Sequence, residues 1–244
     1  GLGAGVAGVE KKTGSSTAGL RLLGLLAALT PAPANAGAWI APADGQHIWT
    51  SLVGQREQLP YYEGSSYLEQ PVAGGTSVLM SWWMETNYDT VDGWRADATL
   101  GAKQTLFRDE NTVMALQAGA LWISHPALGC GEGGAELRWL AGQSFEDGAF
   151  LNLEAAARVL DGGCGGERID LTGGRRLGEN WLALGQVFFD APQQGEDSVK
   201  VQVSLVRFGQ NGRGIQLGLR ARVDGGAEEP AIVLGFWGPA ARDD

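Results

Sequence analysis

Val199-Lys200-Val201-Gln202-Val203-Ser204-Leu205 carries an aliphatic residue at every odd position and a polar one at every even position. Ile215-Gln216-Leu217-Gly218-Leu219-Arg220-Ala221-Arg222-Val223 repeats the pattern without a fault. A period of two sends each class to one face of a β-strand, whereas a helix would scatter both classes around its axis. Earlier segments behave alike. Leu151, Leu153, Ala155, Ala157 and Val159 interleave with Asn152, Glu154 and Arg158, and Ala135, Leu137, Trp139 and Ala141 with Glu136 and Arg138. Trp94, Ala96, Ala98, Leu100 and Ala102 interleave with Arg95, Asp97, Thr99 and Lys103. Turn residues separate the segments, predicting strands near 46–60, 66–74, 76–88, 94–107, 112–124, 135–145, 149–160, 168–177, 181–190, 199–209, 214–223 and 231–237. That makes about twelve strands. Ten remain possible, because Pro60, Pro71 and Gly74-Gly75 blur the stretch 46–90.

A soluble sandwich or a lipocalin-like barrel also alternates. Three features favour a transmembrane, antiparallel, up-and-down β-barrel instead. The polar faces carry Arg and Glu in mid-strand beside small residues. Aromatics gather near strand ends, as interfacial girdles require: Trp39, Trp49, Tyr61, Tyr62, Trp94, Trp122, Trp181, Phe188, Phe189, Phe236 and Trp237. Connections also alternate in style. Tight turns are expected at 108–111, 146–148, 178–180 and 211–213, and longer loops at 125–134, 161–167, 191–198 and 224–230. An even strand number places both termini on one side, expected to be periplasmic.

Composition closes other classes. Glycine is 39 of 244 residues, against roughly 7% in ordinary chains, yet no Gly-X-Y period makes it collagen-like. Apolar residues reach 44%, too many for a disordered chain. The net charge is −10 and Lys and Arg do not cluster, so a nucleic-acid partner is not expected. No run of eighteen apolar residues follows the N-terminal region, as a membrane-spanning helix would need.

Residues 21–36, RLLGLLAALTPAPANA, combine an apolar Leu22–Leu29 stretch, the basic Lys11, Lys12 and Arg21 before it, and an Ala34-Asn35-Ala36 cleavage box. Residues 1–36 are therefore expected to be a signal peptide, 37–237 the barrel and 238–244 a C-terminal tail. Export places Cys130 and Cys164, each between glycines, in an oxidising compartment where a disulfide persists. Both fall in adjacent outward loops of the predicted register. No metal site is expected, since only His125 lies near.

Several stretches resemble the MetA-pathway phenol-degradation family of proteobacterial outer-membrane proteins. They are Gly37-Ala38-Trp39 with Pro42, Gly45-Gln46 and Ile48, then Trp94-Arg95-Ala96-Asp97, Asn152-Leu153-Glu154-Ala155, Ser204-Leu205-Val206 and Val233-Leu234-Gly235-Phe236-Trp237. The resemblance spans most of 37–237 in short motifs. It implies an outer-membrane β-barrel, sometimes encoded near aromatic-degradation genes and linked to transport, with no catalytic residues to carry over. The chain departs from the family at Gly238–Asp244, which follow the aromatic that closes such barrels.

The predicted register turns Arg95, Lys103, Arg138, Arg158, Arg176, Lys200, Arg220 and Arg222 inward, against Asp97, Glu136, Glu154 and Asp170. A cation-rich lumen is expected, with the acid left in loops and tails at Glu132, Asp147, Glu167, Glu196, Asp197, Glu228, Glu229, Asp243 and Asp244. An open pore so lined favours anions. Alternatively, Glu136 with Arg158 and Glu154 with Arg138 pair across the lumen and plug it. Catalysis is not expected: Ser124 and His125 would point to opposite faces of a strand, His47 stands alone, and no G-x-S-x-G occurs. Two functions stay open. One is a narrow channel for small anionic or aromatic solutes; the other is a non-conducting outer-membrane protein that binds partners through its loops. Expected partners are outer-membrane lipid, the barrel-assembly machinery and a small solute, with no cofactor.

Overall fold

The computed structural model describes residues 38–39, 41–86, 92–225 and 229–240. The predicted signal region 1–36 and the end of the tail, 241–244, lie outside them. Twelve strands form one closed antiparallel barrel: β1 (Gln46–Arg56), β2 (Leu59–Ala73), β3 (Thr76–Thr86), β4 (Trp94–Arg108), β5 (Thr112–Ile123), β6 (Gly133–Ser144), β7 (Ala149–Leu160), β8 (Gly165–Arg176), β9 (Trp181–Pro192), β10 (Ser198–Phe208), β11 (Gly214–Arg222) and β12 (Ala231–Gly238). Each strand pairs with its neighbours in sequence, and β1 closes on β12 from His47↔Gly238 to Gly54↔Ala231. The start of β1 and the end of β12 therefore sit at one rim, here called the terminal rim, and Cys130 and Cys164 at the other.

Outward positions are apolar strand after strand: Val201, Val203 and Leu205 on β10, Ile215, Leu217 and Leu219 on β11, Ile232, Leu234 and Phe236 on β12. Water would make so continuous an apolar wall prohibitively costly, while a lipid bilayer is its natural solvent. Closure leaves no unpaired edge in a medium that offers backbone groups no partners. The molecule is thus a bacterial outer-membrane β-barrel.

The largest departure from the predicted strand bounds is at the first hairpin. The first strand ends at Arg56 rather than near residue 60, and the chain turns at Glu57-Gln58, with φ of 48° and 68°. Both turn residues are in the left-handed region, the geometry of a two-residue type I′ hairpin, which normally advertises itself with Asn-Gly or Asp-Gly. Pro60 therefore lies inside β2, and Pro71 sits at a register shift between Pro71 and Ala73, where a missing N–H is tolerated. The connection expected over 161–167 is shorter, because β8 already starts at Gly165.

Aromatic side chains divide between the faces. Trp49, Tyr62, Trp94, Trp122, Trp181 and Phe236 are exposed on the outside, as girdle residues should be. Trp39 and Tyr61 are not girdle residues: both are buried inside the barrel. Phe188 and Trp237 also face inward by register, opposite Lys200 and Gly214. Three apolar clusters fill parts of the interior. Ala38 and Trp39 pack on Val113, Ala115 and Leu140. Leu52 and Tyr61 meet Ala231 and Val233. Phe150, Leu182, Leu184 and Val206 form the third, flanked by Phe208 and Trp237.

The disulfide joins the β5–β6 and β7–β8 loops, with Cα atoms 5.7 Å apart. Gly131 N donates to Asp161 O at 2.6 Å. Gly162, at φ +90°, lets its backbone come so near Gly129 that a Cβ would stand 2.4 Å from the Gly129 carbonyl oxygen. Such an approach requires glycine.

Strands β4 and β5 are pinched where Gly101 faces Gly119. A Cβ on Gly101 would lie 2.3 Å from the Ala118 carbonyl oxygen and 2.7 Å from Gly119 Cα, both backbone atoms that cannot step aside. Gly185, by contrast, has open space around its Cβ position. Gly101→Ala should lower unfolding stability of the refolded barrel by about 1–3 kcal/mol, while Gly185→Ala should be near neutral. Urea unfolding followed by tryptophan fluorescence checks both.

Candidate functional site: a charged barrel interior

Alternation forces one residue in two of every strand inward, and this chain fills many of those places with charge. In the middle of the β6–β8 wall, Arg158 Nε donates to Glu136 at 2.7 Å and its Nη1 to Asp97 at 3.2 Å. Arg138 Nε donates to the same Glu136 at 3.1 Å, and Arg138 Nη1 to Glu154 at 2.7 Å. Asp170 stands 3.6 Å from Arg138 and accepts from Arg168 at 3.0 Å. The result is a ladder of alternating sign, Asp97–Arg158–Glu136–Arg138–Glu154 and Asp170–Arg168, spanning β4 to β8. Arg138, Arg158 and Glu154 keep 14%, 16% and 22% of their side-chain surface, so water reaches them from inside the barrel.

A second cluster lies at the disulfide-rim mouth. Arg56 grips Glu229 with Nε at 2.7 Å and Nη2 at 3.1 Å. It also donates to Glu85, which Arg95 approaches at 3.6 Å. Lys200 and Arg222 each stand 3.8 Å from Glu229, and Arg220 donates to Glu63 at 2.6 Å. Glu229 belongs to the loop before β12, yet its side chain is only 4% exposed. Burial acts to raise its carboxyl, but the Arg56 hydrogen bond and the charges of Lys200, Arg56 and Arg222 outweigh burial and hold it below the ordinary glutamate value.

Near the terminal rim, the chain entering the barrel blocks part of it from within. Lys103 Nζ donates to the Trp39 carbonyl and to Glu69, both at 2.8 Å, and Tyr67 donates to Glu69 at 2.5 Å. Lys103 and Glu69 are each 1% exposed. The Trp39 indole packs so tightly that a Cβ on Gly142 would stand 2.9 Å from its Nε1.

All twelve charges expected in the lumen occupy inward positions of the observed register: Arg95, Asp97, Lys103, Glu136, Arg138, Glu154, Arg158, Asp170, Arg176, Lys200, Arg220 and Arg222. Arg176 lies apart from the clusters, its guanidinium 5.7 Å from the Phe208 ring centroid. The sequence does not assign Arg56, Glu63, Glu69, Glu85 or Arg168 to the interior, and Glu229 lies in a loop as expected but with its side chain buried among the interior charges. With them eight cations against four anions become ten against eight, and the expected excess of interior cations is halved. Arg168 could have been found, since it alternates with Ile169 and Leu171. Glu63, Glu69 and Glu85 lie in the stretch whose register was blurred, and a loop residue such as Glu229 carries no periodic signal.

Ser124 and His125, expected on opposite faces of a strand, do meet. His125 lies beyond the end of β5, so strand geometry does not separate the pair. Its Nδ1 is 3.0 Å from Ser124 Oγ and its Nε2 3.2 Å from Asp92 Oδ2. The likeness to a catalytic triad is superficial. Ser124 is 6% exposed, and its Oγ accepts the Ala96 N–H at 2.8 Å while its own N–H bonds to Ala96 O. Ser124 ends the β4–β5 ladder with its side chain. His47, on the outer wall, is 2.9 Å from Ser66, a serine buried near the edge-to-face pair Trp49 and Trp82.

This architecture is that of outer-membrane porins and channels. The KdgM porin in complex with disordered oligogalacturonate superposes with a TM-score of 0.57 at 6% identity, covering 79% of this chain and 97% of that one. An outer-membrane channel from Pseudomonas putida F1 gives 0.58 at 10% identity, covering 84% and 98%. A second KdgM porin structure gives 0.53 at 7% identity over 78% and 97%. No family model and no curated protein matches the sequence. At such identities the likeness establishes the fold.

Two measurements follow from the geometry. Lys103→Met leaves the Glu69 carboxylate buried without its cation and should cost about 3–5 kcal/mol, whereas Lys103→Met with Glu69→Leu should recover most of it; equilibrium urea unfolding of the three proteins checks this. Glu229 titrates lower folded than unfolded, so its stabilisation is complete above the ordinary value of 4.5 and is lost as pH falls through the folded value. Acidification below pH 4.5 should therefore destabilise the native protein more than Glu229→Gln, read as the difference in urea midpoint at each pH.

Proposed function

We propose that this barrel is a narrow outer-membrane channel for small solutes, organic anions and aromatic acids among them. The observation that carries the reading is the wetted charge ladder: Arg138, Arg158 and Glu154 line the interior and keep contact with water. A barrel built only as a wall could fill these inward positions with aliphatic side chains at no desolvation cost. Aromatic rings beneath inward arginines add a surface suited to planar anions, with Arg220 5.1 Å from the Phe188 ring centroid and Arg95 4.8 Å from that of Trp83. The stretches that resemble the MetA-pathway phenol-degradation family agree with a transport role for aromatic compounds. No catalytic step is assigned, because Ser124 is committed to the strand ladder. Residues 1–36 would direct export, and the assembly machinery would insert the barrel among outer-membrane lipids with the terminal rim facing the periplasm.

A non-conducting barrel acting through its loops is the second reading, favoured by Trp39, which packs inside near the terminal rim and is tied there by Lys103. Planar-bilayer recording separates the two. The refolded protein should show small, discrete conductance steps, larger in Trp39→Ala, and Arg138→Gln should shift the reversal potential in a KCl gradient toward cation preference. Silence from both the native protein and Trp39→Ala would sink the channel reading.

A further inference from the structure

The inward charges of the ladder are paired mainly strand to strand, by residues that belong to the wall. Glu229 is different. It comes from the loop between β11 and β12, and it is the carboxylate on which three separate strands converge a cation: Arg56 of β1, Lys200 of β10 and Arg222 of β11. Arg56 holds it through two parallel N–H donors, the geometry with which arginine recognises a free carboxylate. Lys200 and Arg222, each at 3.8 Å, are too far for direct hydrogen bonds and contribute charge alone, and Arg222 is itself held by Asp224, to which its Nε donates at 2.7 Å. A ligand not tethered to the loop could move closer to them. The floor of the site is the Tyr61 ring, whose centroid is 4.8 Å from the Arg56 guanidinium carbon.

We infer that this mouth cluster is a binding site for small organic carboxylates, occupied in the resting barrel by the side chain of Glu229. The inference deepens the channel reading, on which it rests for its purpose, by naming the solute class and the first place that class is held. Arg56, Lys200 and Arg222 are already oriented and partly desolvated, so the cost of building the site falls on the fold and not on the ligand. Pro230 stays in place during exchange, because its carbonyl accepts the Gln55 N–H at 3.0 Å and continues the β1–β12 ladder. Only the Glu229 side chain has to give way. An incoming dicarboxylate such as succinate can replace its contact with Arg56 through one carboxylate and offer the second to Lys200, while Arg222 stays with Asp224 and adds its charge. Glu229 thereby acts as a competitor: it occupies the Nε and Nη2 donors of Arg56 when no solute is present and weakens binding, which favours release into the barrel.

Equilibrium dialysis of radiolabelled succinate against the detergent-refolded barrel tests this without requiring conduction. Folding of each variant is verified by its heat-shifted mobility in SDS. The native protein should bind succinate weakly and saturably, and Glu229→Gln, which removes the competitor, should bind it about tenfold more tightly or better. Adding Lys200→Gln to Glu229→Gln should reverse most of that gain, and the neutral analogue succinamide should not bind either protein. Equal or weaker binding by Glu229→Gln, or retention of its gain in the double variant, overturns the proposal. Should Glu229→Gln fail to fold, native protein against Lys200→Gln alone decides, equal affinity overturning the proposal and reduced affinity supporting it. Succinate binding as described in a barrel that passes no current would remove the channel reading and leave the site standing.

Discussion

Everything in this molecule follows from the closure of one hydrogen-bond ladder in a solvent that cannot hydrogen-bond. A strand edge left open in lipid would strand a row of amide and carbonyl groups, each at a cost of several kcal/mol. The pairing of β1 with β12, His47↔Gly238 through Gly54↔Ala231, is therefore the condition for the rest. Once the sheet is closed, every strand has one face in lipid and one in a confined space, and the sequence must alternate to satisfy both. The outer face is solved cheaply with Val, Leu, Ile and Ala. The inner face is the harder problem, because twelve strands enclose more room than short aliphatic side chains fill.

Two solutions to that problem share the interior. Near the terminal rim the space is filled by packing, with Trp39 against Leu140 and Val113, and Phe150 against Leu182 and Val206. Toward the middle and the disulfide rim it is filled with long charged side chains in alternating sign. The change is sharp at Lys103, whose amine is buried between Glu69 and the Trp39 carbonyl. A single cation there both neutralises a wall carboxylate and fixes the segment entering the barrel.

How much of this could be read from the sequence depends on how each feature is encoded. The alternation of β10 and β11 is written in consecutive residues, because their lipid faces are apolar at every position from Val199 to Leu205 and from Ile215 to Val223, so fold and inward parity are legible together. Features set by shape are not. Glu57 and Gln58 turn a hairpin without glycine or asparagine, which hid the true start of β2 and, with it, the inward glutamates Glu63 and Glu69. Trp39, Tyr61, Phe188 and Trp237 sit near strand ends like girdle residues but face inward, since position along a strand does not fix the face. Glu229 is chosen by the fold of a loop, and the meeting of Ser124 with Asp92 through His125 needs the strand to end where only coordinates show it ending.

The bond between Cys130 and Cys164 makes the hairpin of β6 and β7 a covalent ring within the barrel wall. Thirty-four residue steps separate the two cysteines along the chain, a contour of about 11–12 nm when fully extended, yet the bridge short-circuits it to a Cα–Cα distance of 5.7 Å. A force drawing the oxidised chain out of the membrane from either end is transmitted through the bridge and bypasses the hairpin. Two of the twelve strands would then leave the bilayer as one closed loop, dragging their charged inner face with them. The mechanical unit of extraction is larger here than anywhere else in the wall, and the ladder carried by Glu136, Arg138, Glu154 and Arg158 lies inside it.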